Sequence, residues 1–430
     1  MVTKLIVDRF KSIRSAALEF GRVNLFIGGN GAGKSNILEA IGVLSASAYR
    51  GLGDSDLVRK GVRITPPALM KSAFKYYELP KTLQLTAEIE SIVTYKINLT
   101  GKDDDPLLAF FTESCMYEGR KMFGQGRNGV QVLGESIYGD LYVDRSMWDQ
   151  VRTGHKFPAP VRQAFHVLSE FAIYSPQTDF LRGMQTGTVD IKPVGLHGEG
   201  LPQAVRGLIR QIKQLQESES DPRSGPQQGS SWRLKRKALD LAYLPRWASG
   251  VRVGRIDTHL VSRALLDPGE DTVYFLDRFM HSKRRTLSVY DSSEGTLFLL
   301  FIAVLLSHDE SPKIFALDNV HSALNPRMTR ALLETVIETT RRAFSHDLPC
   351  GPRQVFLTSH NPTSLDAFDL FDDDQRVFVV ERDDMGHTVV NRLRPSPEMS
   401  RDDWEEAKNG RNLSQLWLDG EIRGALGQSV

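Results

Sequence analysis

The residues most able to do chemistry sit near the start of the chain. Gly28-Gly29-Asn30-Gly31-Ala32-Gly33-Lys34-Ser35 fits the phosphate-binding pattern G-x-x-x-x-G-K-[ST] throughout. Glycines at these spacings let several backbone N–H groups converge on phosphate oxygens, and a helix starting at the loop adds its partial positive end. Gly28, Asn30, Gly31, Gly33 and Asn36 are therefore expected to line a nucleotide, with Lys34 reaching the β- and γ-phosphates and Ser35 a ligand of Mg²⁺. The loop thus calls for a nucleotide with Mg²⁺.

Three later stretches carry complementary groups. Lys313-Ile314-Phe315-Ala316-Leu317-Asp318 reads as a buried strand ending in a carboxylate, the form of a Walker B strand, so Asp318 is a second anchor for the metal. Asn325-Pro326 suits the cap and first turn of the helix that follows. Gln354-Val355-Phe356-Leu357-Thr358 is another buried strand and delivers His360 to its carboxyl end, the ligand side of a doubly wound sheet, which makes His360 a candidate γ-phosphate sensor. Ser292-Ser293-Glu294-Gly295-Thr296 precedes the apolar run Leu297 to Leu306, and hydroxyls with a glycine at a helix start can hold an anion.

These groups need elements to position them. Val23 to Ile27 is an apolar, β-prone run ahead of the loop, and Ile37, Leu38, Ile41 and Leu44 recur at helical spacing behind it. Residues 4–10 and 17–20 read as two short strands joined by a turn, and the alternation over 82–100 predicts a half-solvated antiparallel hairpin. Residues 107–160 mix glycine, aromatic and charged residues without a period and give no assignment. Leu201, Ala204, Val205, Leu208, Ile209, Ile212 and Leu215 form one stripe of an amphipathic helix. Residues 216–231 are rich in Ser, Gly, Pro and Gln and read as a mobile linker, after which Trp232-Arg233-Leu234-Lys235-Arg236-Lys237 restarts order and a second helix to about Leu244 is expected.

At 430 residues the chain exceeds one usual compact domain. A formal net charge of +1 argues against a chain-wide footprint for nucleic acid and leaves local basic patches open. Two cysteines give neither a disulfide framework nor a metal cluster and suit a reducing, cytoplasmic setting. The residues from Met1 to Lys11 lack a signal-peptide core, and the longest apolar run is too short to span a bilayer, so no membrane partner is expected.

Together the motifs resemble the ATP-binding cassette (ABC-type) ATPases of the structural-maintenance-of-chromosomes (SMC), RecF and overcoming-lysogenization-defect (OLD) kind, an AAA-family relationship carried by Phe10-Lys11-Ser12-Ile13, Gly33-Lys34-Ser35-Asn36 and the stretches above. The resemblance implies an α/β fold: a P-loop ATPase head with a mixed β-sheet, flanking helices and an inserted helical lobe. It makes Ser293-Glu294-Gly295-Thr296 the signature motif, so that Ser293 and Gly295 bind nucleotide across a dimer. Ser322-Ala323-Leu324-Asn325 becomes the D-loop, His360 the switch histidine, and Gln177 the Q-loop glutamine near both nucleotide and metal. The expected division is 1–180 for the N-terminal part of the ATPase domain with an antiparallel β subdomain, 181–285 for the helical lobe, and 286–430 for the C-terminal part.

Two departures bear on function. Asn319 follows Asp318 where the family carries a glutamate, and an amide cannot take a proton, so weak hydrolysis is expected at a catalytic group of Asp318, Asn319 and His360. A long heptad segment and an acidic C-terminal nuclease module are absent, which is similar to the stand-alone ATPases of bacterial anti-phage operons such as Septu. The implied partners are a second copy of the chain, in an ATP-sandwich dimer or higher homo-oligomer, and an operon-encoded effector such as a nuclease. The alternative is a RecF-like, DNA-binding repair ATPase. Its support is the basic runs at Arg233, Lys235, Arg236, Lys237 and at Lys283, Arg284, Arg285, although such runs are commonly solvated helix faces. A transporter's nucleotide subunit fits the chain poorly.

Overall fold

In the computed structural model of the chain, the described residues are all but 103, 104, 106, 127, 128, 139–141, 143, 186–190, 220–225, 262–269, 346–349 and 423–430. The chain divides into two compact units, one formed by 1–173, 314–319 and 354–430, the other by 174–313 and 320–353. The fold is mixed α/β, with two large sheets and flanking helices.

The first unit contains an antiparallel sheet built from β1 (Val2–Phe10), β2 (Ile13–Glu19), β4 (Thr82–Ile89), β5 (Val93–Thr100), β6 (Ala109–Tyr117), β7 (Arg120–Gly126), β8 (Gly129–Val132) and β9 (Glu135–Ile137), in the order β2-β1-β4-β5-β6-β7-β8-β9. The second sheet has the order β10-β14-β15-β3-β16-β17, where β3 is Val23–Ile27, β10 residues 173–174, β14 Ile314–Leu317, β15 Gln354–Ser359, β16 Gln375–Arg382 and β17 Thr388–Leu393. Its strands β14, β15, β3 and β16 run parallel. Buried on both faces, β3, β14 and β15 read as mainly apolar runs rather than alternating ones.

The helix Lys34–Tyr49 packs against strands of both sheets and is buried nearly all round, from Ile37 through Ala48. That is why its apolar positions are not confined to one stripe. It belongs to a continuous core with Leu5, Val7, Leu85, Ile97, Phe165, Phe171, Phe356 and Phe378. Phe20 meets Phe356 edge-on at 4.9 Å, and Phe26 stacks on Phe378 at 5.2 Å. Gln354 ties the two sheets together: its amide nitrogen donates to the carbonyls of Val2 and Gly21 at 2.7 and 2.8 Å, and its oxygen accepts from the Val2 N–H.

The second unit holds the helices Leu201–Glu219, Pro226–Leu239, Glu294–Ser307 and Pro326–Ser345, and a three-stranded sheet of β11 (Ala248–Arg255), β12 (Asp271–Asp277) and β13 (Thr286–Ser288). The expected linker at 216–231 is largely helical instead. One helix continues to Glu219 and the next begins at Pro226, while 220–225 lie outside the described residues. The apolar stripe of Leu201–Glu219 and a proline pre-set for a first helical turn outweigh the polar composition. The span 181–285, expected to be a helical lobe, also contains β11 and β12 of this sheet. Among the described residues no helix is long and apolar enough to cross a membrane.

One buried acid marks the antiparallel sheet. Glu113 on β6 accepts hydrogen bonds from the Tyr95 hydroxyl at 2.9 Å and from the Met147 and Trp148 N–H groups at 2.8 and 3.4 Å. Burial nevertheless dominates and pushes its pKa up to about 7. The folded chain thus holds this proton more tightly than the unfolded chain, so the associated stability is full below about pH 4.5 and is lost as pH rises through about 7. Relative to Glu113→Gln, which does not titrate, the native chain should lose about 3 kcal/mol of unfolding free energy across that window. Denaturant unfolding at several pH values measures this, and parallel profiles for the two proteins would contradict it.

Candidate functional site

Register places the candidate groups of the first unit together. Leu317 pairs with Leu357, and Ser359 with Ile27, so Asp318, Thr358, His360 and Gly28 all leave the parallel sheet at one carboxyl edge. Ligands bind at this edge in open α/β sheets.

The loop after β3 is anchored on several sides. The Ala32 carbonyl accepts from the Thr388 hydroxyl at 2.8 Å, and the Gly31 carbonyl accepts from Arg382 Nε at 3.0 Å. Gly28 leaves β3 beside Val380, and Asn30 stands exposed at the crest of the loop. Gly33 has φ 109°, and a Cβ there would lie 2.2 Å from Thr388 Oγ1, so both conformation and space require glycine. Asn36 donates to Ser12 Oγ at 2.6 Å and accepts from Arg63 Nη2 at 3.1 Å. Arg63 and Lys11 converge on Glu39. Burial raises the Glu39 carboxyl pKa, but the two cations outweigh it and hold the group below the usual carboxylate range.

Lys34 is buried, and its Nζ donates to the carbonyls of Gly28 and Gly29, both at 2.8 Å. Burial lowers its pKa, and the charge of Asp318 opposes that shift. Ser35 Oγ lies 3.0 and 3.3 Å from the two Asp318 oxygens, and the Thr358 hydroxyl also donates to Asp318. An ammonium folded into the loop, beside a hydroxyl facing a carboxylate, fits a phosphate with a hard cation: Lys34 would turn to the phosphate, and Ser35 and Asp318 would share the metal. Among the described residues no group of three or more His, Cys, Asp or Glu side chains could hold a metal by itself. A cavity of about 650 Å³ opens beside the loop, bordered by Lys11, Ser12, Asn36, Arg63 and Arg382, and is of a size that takes a nucleoside.

Asn319 adopts φ 57° and is exposed, and its N–H donates to Thr358 Oγ1 at 2.8 Å. Asparagine tolerates this left-handed conformation better than most residues, so its presence also has a backbone reason. His360 is exposed just beyond β15.

The remaining sequence candidates belong to the second unit. Ser293 caps Glu294–Ser307: its Oγ accepts from the Thr296 N–H at 3.3 Å and lies 2.6 Å from Thr296 Oγ1, which accepts from Trp247 Nε1 at 3.1 Å. A Cβ on Gly295 would sit 2.6 Å from the Ala323 carbonyl, so the turn at 322–325 closes on the helix start only with glycine there. Asn325 Oδ1 accepts from the Met328 N–H at 3.0 Å, the cap foreseen for Pro326–Ser345. Gln177 is exposed at the start of a single helical turn, with its amide 3.5 Å from His197 Nδ1.

Sequence reasoning missed Thr358, Thr388 and Arg382. Thr358 carried a usable signal as the polar residue that ends the buried strand predicted over 354–358. Thr388 and Arg382 come from the edge hairpin and leave no local pattern.

Comparison with known proteins gives two family matches and several structural likenesses. Residues 4–123 match a family described as an AAA domain. No curated protein matches the sequence. Among solved structures, the chain is similar to an Smc head bound to the C-winged helix domain of ScpA, at 13% identity with TM-score 0.49, covering 93% of this chain and 99% of that one. It is also similar to the SMC head domain from Thermotoga maritima, at 14% identity with TM-score 0.40, covering 92% and 99%. For the recombination mediator protein RecF the figures are 12%, 0.34, 91% and 98%. Residues 135–366, more than half of the chain, match a further family model, and the chain belongs to the family it describes: "AAA domain, putative AbiEii toxin, Type IV TA system".

Proposed function

We propose that the protein is a cytoplasmic, ATP-binding switch of the ABC-type SMC and RecF kind, in which two copies close over nucleotide and the closed state controls a partner effector in bacterial defence. The observation that carries the reading is the joint placement of Lys34, Ser35 and Asp318, with Ser35 Oγ 3.0 Å from the Asp318 carboxylate. The loop N–H groups and Lys34 would bind and neutralise the triphosphate, and Ser35 and Asp318 would hold Mg²⁺. When bound, Mg²⁺ supplies neutralisation of the phosphate charge and fixes its orientation. Thr358 keeps the Asp318 carboxylate turned toward Ser35. His360 and Gln177 are proposed to face the nucleotide in the closed assembly, and Ser293 and Gly295 to meet the phosphate held by the other copy. Asn319 supplies a hydrogen-bonding amide but no base, so water activation is weak and the cycle is governed by binding and release. The description of the family as a putative toxin of a type IV toxin–antitoxin system supports a role in bacterial conflict. A nuclease is the proposed class of effector.

Lys34→Ala should abolish binding of Mg-ATP, because the charged triphosphate then loses its buried cation. Calorimetry checks this, and an unchanged affinity would overturn the nucleotide assignment.

Association is tested separately at Ser293. Ser293→Asp keeps a helix-capping side chain but sets a carboxylate against the expected phosphate, so nucleotide binding to the monomer should survive while ATP-dependent dimers are lost. Sedimentation velocity with and without ATP measures this. Dimers that persist in the variant would contradict the sandwich.

A further inference from the structure

The chain carries two short basic runs, and the structure treats them differently. In the helix Pro226–Leu239, Lys235 is buried and donates to Asp309 at 2.6 Å, to the Ser307 carbonyl at 2.7 Å and to Gln211 Oε1 at 2.9 Å. Arg236 pairs with Asp240, and Lys237 with Glu338. Arg233 lies over the Trp232 ring. Lys235 and Lys237 are thus spent on joining helices, and both, with Arg236, are paired with carboxylates within the unit.

The second run lies on the β12–β13 connection, where residues 278–285 are exposed without interruption. Lys283, Arg284 and Arg285 make no ion pair among the described residues, and Arg278 stands at the other end of the same connection. Between them Phe279 is 78% exposed, with Met280 beside it. The turn is held in shape. The Asp277 carboxylate accepts from the Phe279 and Met280 N–H groups at 2.7 and 3.2 Å, His281 Nδ1 accepts from the Lys283 N–H at 3.2 Å, and the Asp277 N–H donates to the Arg285 carbonyl at 2.7 Å. The Arg278 N–H is fixed on the Trp247 carbonyl at 3.0 Å.

We propose that this hairpin is a contact site for single-stranded nucleic acid, with Arg278, Lys283, Arg284 and Arg285 on the phosphates and Phe279 stacked on an unpaired base. Uncompensated cations in a row are complementary to a polyanion. A rigidly presented aromatic ring offers a platform that any base can use once it is out of a duplex, where its faces are otherwise taken by its neighbours. An anionic membrane would also attract the cations. Two apolar residues, however, give far less insertable surface than the long apolar face with which peripheral proteins hold a bilayer. The proposal does not rest on nucleotide-driven assembly.

The test uses the full chain without nucleotide and a labelled oligothymidylate, with fluorescence anisotropy across about 50 to 200 mM salt. The native chain should bind, with log affinity falling linearly as log salt rises. Replacing Lys283, Arg284 and Arg285 together by Gln should weaken binding and lower the salt slope by about 2, at roughly 0.7 per phosphate contact on a single strand. Phe279→Ala should weaken it by about 5- to 150-fold with the slope unchanged, and Phe279→Trp should restore it. Arg236→Gln with Lys237→Gln, which alters the internally paired run, should leave affinity unchanged. Lys34→Ala should bind the oligonucleotide like the native chain, which separates this claim from the nucleotide assignment. The substituted hairpin side chains are exposed, and far-ultraviolet dichroism verifies the fold of each variant. The proposal is overturned by absence of binding at low salt, or by hairpin variants that bind like the native chain. It is also overturned by a duplex bound more tightly with Phe279→Ala silent, or by capture on anionic vesicles with no binding to the oligonucleotide.

Discussion

The hydrogen-bonded group of Ser35, Asp318 and Thr358 is the constraint from which the candidate site follows. It exists because β14, β15 and β3 are parallel and in a register that ends them side by side. A slip of one residue in any of these strands would turn its side chains to the other face of the sheet and separate the carboxylate from the loop. The core prevents such a slip. Phe26, Phe356 and Phe378 interlock across β3, β15 and β16 with Phe20, and Gln354 fastens the start of β15 to β1 through bonds to Val2. Stability and function are therefore expressed by the same pairing.

Asn319 shows how backbone and chemistry meet at one position. The chain must turn sharply after Asp318, and it does so through a left-handed residue whose N–H is held by the same Thr358 hydroxyl that touches Asp318. Asparagine is at ease in that conformation and offers no base. A glutamate at the same φ would cost about 1 kcal/mol. Asparagine thus suits the turn, and in the proposed cycle it leaves water without a group to take its proton.

The site was legible in sequence where its residues are contiguous, as in Gly28 to Ser35, or end a short apolar strand, as with Asp318. What escaped was non-local. The partners of Lys235 lie 24 to 74 residues away, so nothing in Arg233 to Lys237 distinguishes a structural cation from one available to a polyanion. Residues 107–160 resisted assignment because the pairings of β5 with β6 and of β6 with β7 each contain an irregularity, at Asn98/Leu99 and Cys115/Met116, which breaks the alternation that marks a strand. Glu113, a buried acid on β6, breaks it further. The segment 216–231 misled through composition, since its polar residues extend helices whose apolar faces are established elsewhere.

The central claim is that nucleotide is held at Lys34, Ser35 and Asp318 and turned over slowly because Asn319 offers no base. Single-turnover hydrolysis, measured on the native chain and on Asn319→Glu and Asn319→Asp, tests it most directly. Aspartate keeps the tolerance for the left-handed turn, and glutamate has the longer reach. The account predicts a slow native rate and a gain of about 10²- to 10⁴-fold in at least one carboxylate variant with nucleotide binding retained. A native rate that neither carboxylate improves would contradict it.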